Sequence, residues 1–137
     1  MKNSDIFNIA SFEIFHACSE YLPIPAVIEA SEVAMNVAGY FELSEDDQEF
    51  HNQFENIVNV VYHTLDWLIR ENFLSDQGSS ETNYLVTFTL QGLNSINGVP
   101  SAISGDASFK DVFINGLSNI SYGTVSGLMV ELFKSGN

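Results

Sequence analysis

Histidine and cysteine side chains are the usual candidates for metal binding and nucleophilic catalysis, and the chain has three histidines and one cysteine. His51 and His63 are twelve residues apart, so on one helix they lie about 18 Å apart, too far to share a metal ion. His63 and Asp66 lie one turn apart but offer only two ligands, whereas zinc sites use three or four. Cys18 and His16 are two residues apart, and helical side chains at this spacing point in divergent directions. We therefore expect no metal site, and we expect Cys18 to belong to the core.

Acidic residues and glycines form no other recognisable catalytic or cofactor-binding pattern. The run Glu45-Asp46-Asp47 lacks the alternating ligands and central glycine of a calcium loop, and acids are favoured at the start of a helix. The chain contains no phosphate-binding glycine loop and no GKS or GKT sequence. Because no acid, base and nucleophile converge in the sequence, we predict a non-enzymatic protein without a cofactor or a bound metal.

The charge balance narrows the possible partners. The formal net charge is −14, because 18 acidic residues face only Lys2, Arg70, Lys110 and Lys134. Such a field repels nucleic acids and anionic membranes, since binding them relies on cations that displace counterions. We therefore expect a protein partner or self-association, while binding to nucleic acid is disfavoured.

Length and composition predict one domain spanning residues 1–137. A hydrophobic content of 45%, including 11 Phe, is enough for a packed core. A lone cysteine excludes an internal disulfide, and the N-terminus lacks a signal-peptide pattern, so we expect a cytoplasmic protein. Residues 112–130 carry no charge, but Asn, Ser and Thr interrupt them repeatedly. We therefore expect buried helices there and no membrane span, although Gly123 and Gly127 form a GxxxG pattern.

Residues 44–90 organise the rest of the chain, and they begin with a long amphipathic helix. Its apolar residues recur every three or four positions, which places them on one face. They are Phe50, Phe54, Ile57, Val58, Val61, Leu65, Leu68 and Ile69. Ser44 and Asp47 resemble a capping box at its start, and Asn72 is suited to the left-handed conformation that closes a helix. Trp67 is predicted to pack near the end of this helix, where the next element begins.

After this helix, apolar residues recur at every second position, which is the spacing of a β-strand. Tyr84, Val86 and Phe88 fall on one side of an extended segment, and Leu85 and Thr87 on the other. The sequence Gln77-Gly78-Ser79-Ser80 supplies a turn before it. We therefore predict a two-stranded β-hairpin here.

The flanking segments are predicted to be mainly helical. A first helix, capped at Ser4-Asp5, ends before Pro23 and Pro25. Residues 26–30 fit either a short strand or an extended segment. A brief helix then runs from a cap at Ser31 to Val37 and is terminated by Gly39.

After the hairpin, Thr89 is predicted to cap a short helix with Leu90, Leu93 and Ile96 facing inward. Two further apolar helices follow, the first carrying apolar residues from Phe109 to Ile120 and the second capped by Ser121. They suggest an antiparallel helical hairpin over about residues 106–135, or a subunit interface. Their apolar content is high for a small core, so we expect a homo-oligomer that uses residues 108–133.

Three segments resemble a recurring pattern of small uncharacterised bacterial winged-helix proteins. They are FHACSEYLPIPAVI, YHTLDWLIRENFL and VTFTLQGLNSINGVP. The resemblance covers roughly residues 6–100 and implies a winged helix-turn-helix fold more than an activity. The expected architecture is α+β and mostly helical, with a winged helix-like core over about residues 5–100, a two-stranded wing and additional C-terminal helices.

The resemblance also places the long helix at the recognition-helix position, which enters the major groove in DNA-binding members. The residues on its outward face are Asn52, Asn56, Asn59, His63, Asp66 and Arg70. Asn can pair with adenine and Arg with guanine, although outward polar residues are also the default for any amphipathic helix.

The predicted wing carries the wrong charge for DNA. Its turn contains Asp76 and Glu81 and no cation, whereas phosphate contacts supply much of protein–DNA affinity. We therefore expect protein–protein contact. The alternatives are a sequence-specific DNA-binding regulator, and an acidic nucleic-acid mimic that binds a basic partner. The last is suggested by the cluster Glu42, Glu45, Asp46, Asp47 and Glu49.

Overall fold

The computed structural model describes residues 1–43, 48–101 and 105–135, and this part of the chain forms six α-helices and three β-strands. The helices are α1 (Asn3–Tyr21), α2 (Ala30–Tyr40), α3 (Gln48–Arg70), α4 (Leu90–Ile96), α5 (Phe109–Asn115) and α6 (Tyr122–Ser135). The strands are β1 (Ala26–Glu29), β2 (Leu74–Asp76) and β3 (Asn83–Phe88). The predicted α+β, mostly helical class is therefore confirmed.

Helix α1 lies at the centre and packs against α2, α3, α5 and α6. Its Phe15 ring lies 5.4 Å from Phe88 of β3 and 5.4 Å from Phe113 of α5, measured between ring centroids. The helix ends before Pro23 as predicted. Its predicted cap at Ser4-Asp5 was wrong, because the helix begins at Asn3 and Asp5 accepts a hydrogen bond from the Lys2 backbone amide (2.8 Å) from within the first turn.

The three strands form one antiparallel sheet in the order β1–β3–β2. Ala26 of β1 pairs with Val86 of β3, and Leu74 of β2 pairs with Phe88. The predicted two-stranded hairpin was therefore incomplete, because β1 joins β3 on the other side. The segment alternates buried Ala26 with exposed Val27 over only four residues, and its pairing partner is distant in sequence.

Helix α3 confirms the prediction from hydrophobic periodicity. Its core-facing residues Phe50, Ile57, Val61, Leu65 and Leu68 are buried. Asn72 has a positive φ of 65°. The amide of Asn72 donates to the Ile69 carbonyl (3.1 Å) and that of Phe73 to the Leu68 carbonyl (2.9 Å), which is the Schellman pattern of helix termination. The predicted cap residues Ser44 and Asp47 lie outside the described residues.

Helix α2 runs past its predicted stop. Gly39 was expected to end it, but the helix continues to Tyr40, and the left-handed residue is Glu42 with φ 62°. The amides of Glu42 and Leu43 donate to the carbonyls of Gly39 (3.0 Å) and Ala38 (2.9 Å). The same terminating pattern is thus formed by a glutamate, a residue that seldom adopts this conformation.

Helix α4 has the predicted cap but a different buried face. The Thr89 hydroxyl accepts a hydrogen bond from the Gly92 amide (2.9 Å), as expected. Leu90, predicted to face inward, is 75% exposed. A Cβ atom at Gly92 would lie 2.2 Å from the Phe73 carbonyl oxygen. The helix therefore approaches the start of β2 through its glycine, while Leu90 lies on the exposed side of the helix.

The two C-terminal helices each pack mainly against α1. Their pairing with each other as an antiparallel helical hairpin stays a prediction. Helix α5 is capped by Ser108 and ends at Asn115, so Leu117 and Ile120, predicted to continue it, lie in the connection. Ser121 accepts from the Thr124 amide (3.3 Å) at the start of α6. Within the described ranges no helix has the length and apolar character needed to cross a membrane.

Candidate functional site

The six polar residues predicted on the outward face of α3 form one exposed line along the helix. They are Asn52, Asn56, Asn59, His63, Asp66 and Arg70, and each is exposed. Spacings of four and three residues keep them within a narrow stripe opposite the buried face. We call this line the α3 ridge; its role in recognition stays a prediction.

The first half of the ridge is joined to the beginning of α1. The Asn56 side-chain amide donates to the Asn3 side-chain oxygen (3.0 Å), and Gln48 donates to Asn52 (3.1 Å). These contacts use one donor of Asn56 and one acceptor of Asn52, so both amides keep further hydrogen-bonding capacity. The Asn59 side chain makes no hydrogen bond to any residue that the structure describes.

The second half of the ridge is joined to the sheet. The Tyr84 hydroxyl of β3 donates to Asp66 Oδ1 at 2.6 Å. Partial burial, together with the neighbouring Asp66 carboxylate, raises the pKa of Tyr84 well above its ordinary value. Tyr84 therefore remains a neutral donor, and the Asp66 carboxylate is held in place beside the hairpin.

A cleft of about 620 Å³ separates the end of α3 from the β2–β3 connection. Its lining residues are Asp66, Ile69, Arg70, Asp76, Ser79, Ser80, Glu81 and Tyr84. We call it the acidic cleft, because three carboxylates face one guanidinium. Among the described residues, Arg70 makes no ion pair within 4.0 Å. Its charge is therefore available to a partner.

Asp76 shapes the wall of the acidic cleft. Its Oδ1 atom accepts hydrogen bonds from the Gly78 amide (2.9 Å), the Ser79 amide (2.8 Å) and the Ser79 hydroxyl (2.8 Å). The two backbone donors and the hydroxyl favour the ionised form and lower the pKa of Asp76. The carboxylate therefore stays charged while it fixes the β2–β3 connection.

On the other side of the ridge lies a hollow of about 360 Å³ between α3 and α1. Its lining residues are Asn3, Phe7, Asn59, Val60, His63, Thr64, Trp67 and Arg70. We call it the aromatic hollow. Trp67 is half-buried, with Phe7 edge-on at 5.3 Å and Phe133 edge-on at 5.2 Å between centroids. The predicted packing role of Trp67 is thus confirmed, and its exposed part also lines the hollow.

A third depression, of about 530 Å³, lies on another face between α1, α2 and the segment that follows α5. Its lining residues are Glu13, His16, Met35, Asn36, Gly39, Tyr40, Asn115, Gly116, Leu117 and Ser118. We call it the α1–α2 pocket. Sequence reasoning missed it, because His16 was weighed only with Cys18. The spacing of Glu13 and His16, one helical turn apart, was the available signal.

The remaining candidates from the sequence are the single cysteine, possible metal ligands and the acidic cluster. Cys18 is buried, as predicted, and burial raises the pKa of its thiol to about 12. Within residues 1–43, 48–101 and 105–135, no three His, Cys, Asp or Glu side chains are arranged to hold a metal ion. Glu42 and Glu49 are exposed, whereas Glu45, Asp46 and Asp47 of the predicted mimic cluster lie outside the described residues.

No protein-family model, curated protein or solved structure matches the chain. The α3 ridge brings Arg70 between the acidic cleft and the aromatic hollow. The acidic cleft can bind a charged group of a ligand while the aromatic hollow binds an apolar side chain of the same ligand.

Proposed function

We propose that this is a cytoplasmic, non-enzymatic protein that acts by contacting another protein through the α3 ridge and the two depressions beside it. We also propose that the chain up to about residue 100 is a winged helix-like core. The order of three helices followed by a hairpin supports this interpretation, with α3 at the recognition-helix position and the β2–β3 connection as the wing.

The acidic cleft carries this proposal. In winged-helix DNA-binding proteins, the helix and the wing approach the nucleic acid, where cations are needed to contact phosphates. Here Asp66, Asp76 and Glu81 line the gap between helix and wing, and Arg70 alone opposes them. This surface repels phosphate and attracts Lys or Arg side chains of a protein. A DNA-binding protein whose basic surface is covered by this one is one partner of that kind.

The aromatic hollow supplies the apolar part of the contact. Trp, Tyr and Arg are the residue types that most often dominate the energy of protein interfaces. Trp67 is stacked on Phe73 at 6.0 Å and flanked by Phe7, so it is held in position before a partner arrives. A partner that buries Trp67 therefore loses little conformational entropy of this side chain.

The charge preference is tested by two titrations followed by backbone amide NMR spectra. One ligand is the blocked peptide Lys-Arg-Lys-Arg, and the other is a duplex DNA, both at low salt. The peptide should shift the amides around Asp66, residues 76–81 and Tyr84 most strongly, because the acidic cleft lies there. The duplex should leave α3 unchanged.

A matched pair of variants separates the cleft from general acidity. Asp66→Asn with Glu81→Gln keeps the shape of the cleft, and the amide oxygen introduced at position 66 can still accept from the Tyr84 hydroxyl. Glu29→Gln with Glu32→Gln removes two exposed acids elsewhere. Only the first pair should abolish the localised shifts. Shifts spread evenly over all acidic surfaces, or duplex-induced shifts along α3, would contradict the proposal.

A second candidate function is sequence-specific DNA binding, which the exposure of Asn52, Asn56, Asn59 and Arg70 favours. It predicts salt-sensitive binding of a genomic fragment, measured by fluorescence anisotropy, that Arg70→Ala weakens. If no fragment of a genomic library binds at low salt, this candidate is removed.

Self-association through the C-terminal helices also stays a prediction. The prediction is based on the high apolar content of these helices, but most of their large apolar side chains are buried within the chain. The buried residues are Val112, Phe113, Val125, Leu128 and Met129. Among the described residues of α5 and α6, Ile114 and Val130 are the large apolar side chains that remain exposed. Light scattering at high protein concentration decides it, and a strict monomer would contradict self-association.

A further inference from the structure

The α1–α2 pocket contains a carboxylate with one oxygen still unsatisfied. Asn36 of α2 donates its side-chain amide to Glu13 Oε2 of α1 at 3.1 Å. Glu13 Oε1 has no hydrogen-bond donor among the residues that the structure describes. Because ionised carboxylates accept several hydrogen bonds, this oxygen remains available to a donor that enters the pocket.

The nearest ionisable neighbour does not complete this site. The His16 Nδ1 atom donates to the Phe113 carbonyl oxygen, and Nε2 lies 3.4 Å from the Glu20 carboxylate. Both ring nitrogens are therefore directed at groups other than Glu13. No Lys or Arg lines the pocket. The pocket is thus negatively charged and lacks a fixed cation.

The partial burial of Glu13 increases the benefit of a cation bound beside it. The side chain is half-buried, and this loss of hydration raises the pKa of its carboxyl, although the Asn36 hydrogen bond and the charge of His16 act in the opposite direction. A carboxylate that is partly withdrawn from water gains more from a cationic partner than one that is fully exposed.

The rest of the pocket suits a short apolar body. Met35, Tyr40 and Leu117 form its apolar wall. Tyr40 is fixed because its hydroxyl donates to the Ile120 carbonyl at 2.7 Å. Gly116, with φ 78°, lies against the His16 ring, and a Cβ atom there would be 3.5 Å from it. The pocket volume of about 530 Å³ is within the range of small-molecule sites.

We propose that the α1–α2 pocket binds a small primary amine, whose ammonium group donates to Glu13 Oε1 while its apolar body lies against Met35 and Leu117. Anionic ligands are repelled by Glu13 and Glu20, and neutral ligands gain no ion pair. Within the described ranges no third ligand makes the site suitable for a metal ion. The site is separate from the α3 ridge, and it does not depend on the function proposed for that ridge.

The test uses three ligands of similar size: phenethylamine, 2-phenylethanol and 3-phenylpropionate. Backbone and side-chain amide NMR spectra are recorded during each titration of the full chain. Phenethylamine should shift the Asn36 side-chain amide and the backbone amides of Gly39 and Gly116, with millimolar affinity. The alcohol and the acid should leave these signals in place.

Two matched variants assign the effect to one carboxylate. Glu13→Gln keeps an acceptor for Asn36 but removes the charge, and it should weaken phenethylamine binding by about tenfold or more. Glu32→Gln removes an exposed acid of the adjacent helix α2 and should leave the affinity unchanged. Preserved dispersion of the amide spectrum shows that each variant is folded.

Three results would overturn the proposal: equal shifts from the alcohol, shifts from the amine that spread over other acidic surfaces, and unchanged binding to Glu13→Gln. Shifts confined to the acidic cleft concern the α3 ridge and would also count against an amine site in this pocket. Failure of either proposal is therefore distinguishable from failure of the other.

Discussion

The half-buried carboxylate of Glu13 affects the stability of the protein. Its folded-state pKa is raised, so the native state binds more protons than the unfolded state between the unfolded and folded pKa values. Stability therefore falls as the pH rises through this window, and the penalty remains at neutral pH. His16, Glu20 and Asn36 are the neighbouring groups that modify this shift.

We predict that Glu13→Gln raises the free energy of unfolding at about pH 7, and that the gain disappears below the unfolded pKa of glutamate. Urea denaturation of both proteins over this pH range measures it. Glu32→Gln, at an exposed position, should show no such dependence. A Glu13→Gln protein that is less stable than the parent at neutral pH would refute the assignment.

Gly92 marks a close approach between helix α4 and the start of strand β2. A Cβ atom there would lie 2.2 Å from the Phe73 carbonyl oxygen and 3.1 Å from the Phe88 ring. Backbone cannot move aside as a flexible side chain can, so Gly92→Ala should cost at least about 2 kcal/mol of stability. At Gly127 no atom outside the nearby backbone of its own helix and its two chain neighbours lies within 4 Å of the added Cβ atom.

Gly127→Ala on α6 is the matched control, and it should stabilise by about 0.5–1 kcal/mol because alanine favours helix. Thermal denaturation of both variants measures the contrast. If Gly92→Ala leaves the free energy of unfolding unchanged, α4 does not approach β2 in this way.

The exposure of the α3 ridge could be predicted from spacing, because residues three and four apart share one helix face. The contacts of the ridge could not. Asp66 meets Tyr84, and Asn56 meets Asn3, across elements that are distant in sequence. The pairing of Glu13 with Asn36 was missed for the same reason. Hydrophobic periodicity predicts which face of a helix is exposed. It does not predict which polar groups of other elements contact that face.

The β2–β3 connection is the element whose order depends on one side chain. Asp76 accepts from two successive amides, those of Gly78 and Ser79. We predict that Asp76→Ala removes the protection of these two amides from hydrogen exchange, because both lose their acceptor. Glu81→Ala, in the same connection, is the control, since Glu81 makes no hydrogen bond to a described residue.

The protection should also depend on pH. The folded-state pKa of Asp76 is lowered, so its contribution is present above the unfolded pKa and is lost as the pH falls through the folded pKa. Equal exchange at Gly78 in the parent protein and in Asp76→Ala would contradict this account of the connection.

Element boundaries were predictable where a local rule decides them. Thr89 caps α4 and Asn72 closes α3, and both depend on residues within one turn. Strand β1 was ambiguous because it has four residues and becomes a strand by pairing with the distant β3. The end of α2 was misplaced because Glu42 takes a left-handed conformation that sequence rules assign to Gly39.

In the part of the chain that the structure describes, the acidic charge is largely unpaired. Among the described residues, the one ion pair within 4.0 Å joins His16 to Glu20, and no Lys or Arg is paired. The net charge of −14 therefore produces a negative electrostatic potential around the surface, which is screened over about 8 Å at physiological salt. The α+β class followed from periodicity, whereas the packing of α5 and α6 on α1 followed from no local pattern.

Recognition of a protein through the α3 ridge is tested most directly by photo-crosslinking in the native cell, with p-benzoylphenylalanine at position 63 in the middle of the ridge. Position 94, exposed on α4, serves as the control. We predict a discrete adduct from position 63 that nuclease leaves unchanged and that yields peptides of a second protein by mass spectrometry, with no such adduct from position 94. A nuclease-sensitive adduct from position 63, or the same adducts from both positions, would contradict recognition of a protein through the α3 ridge.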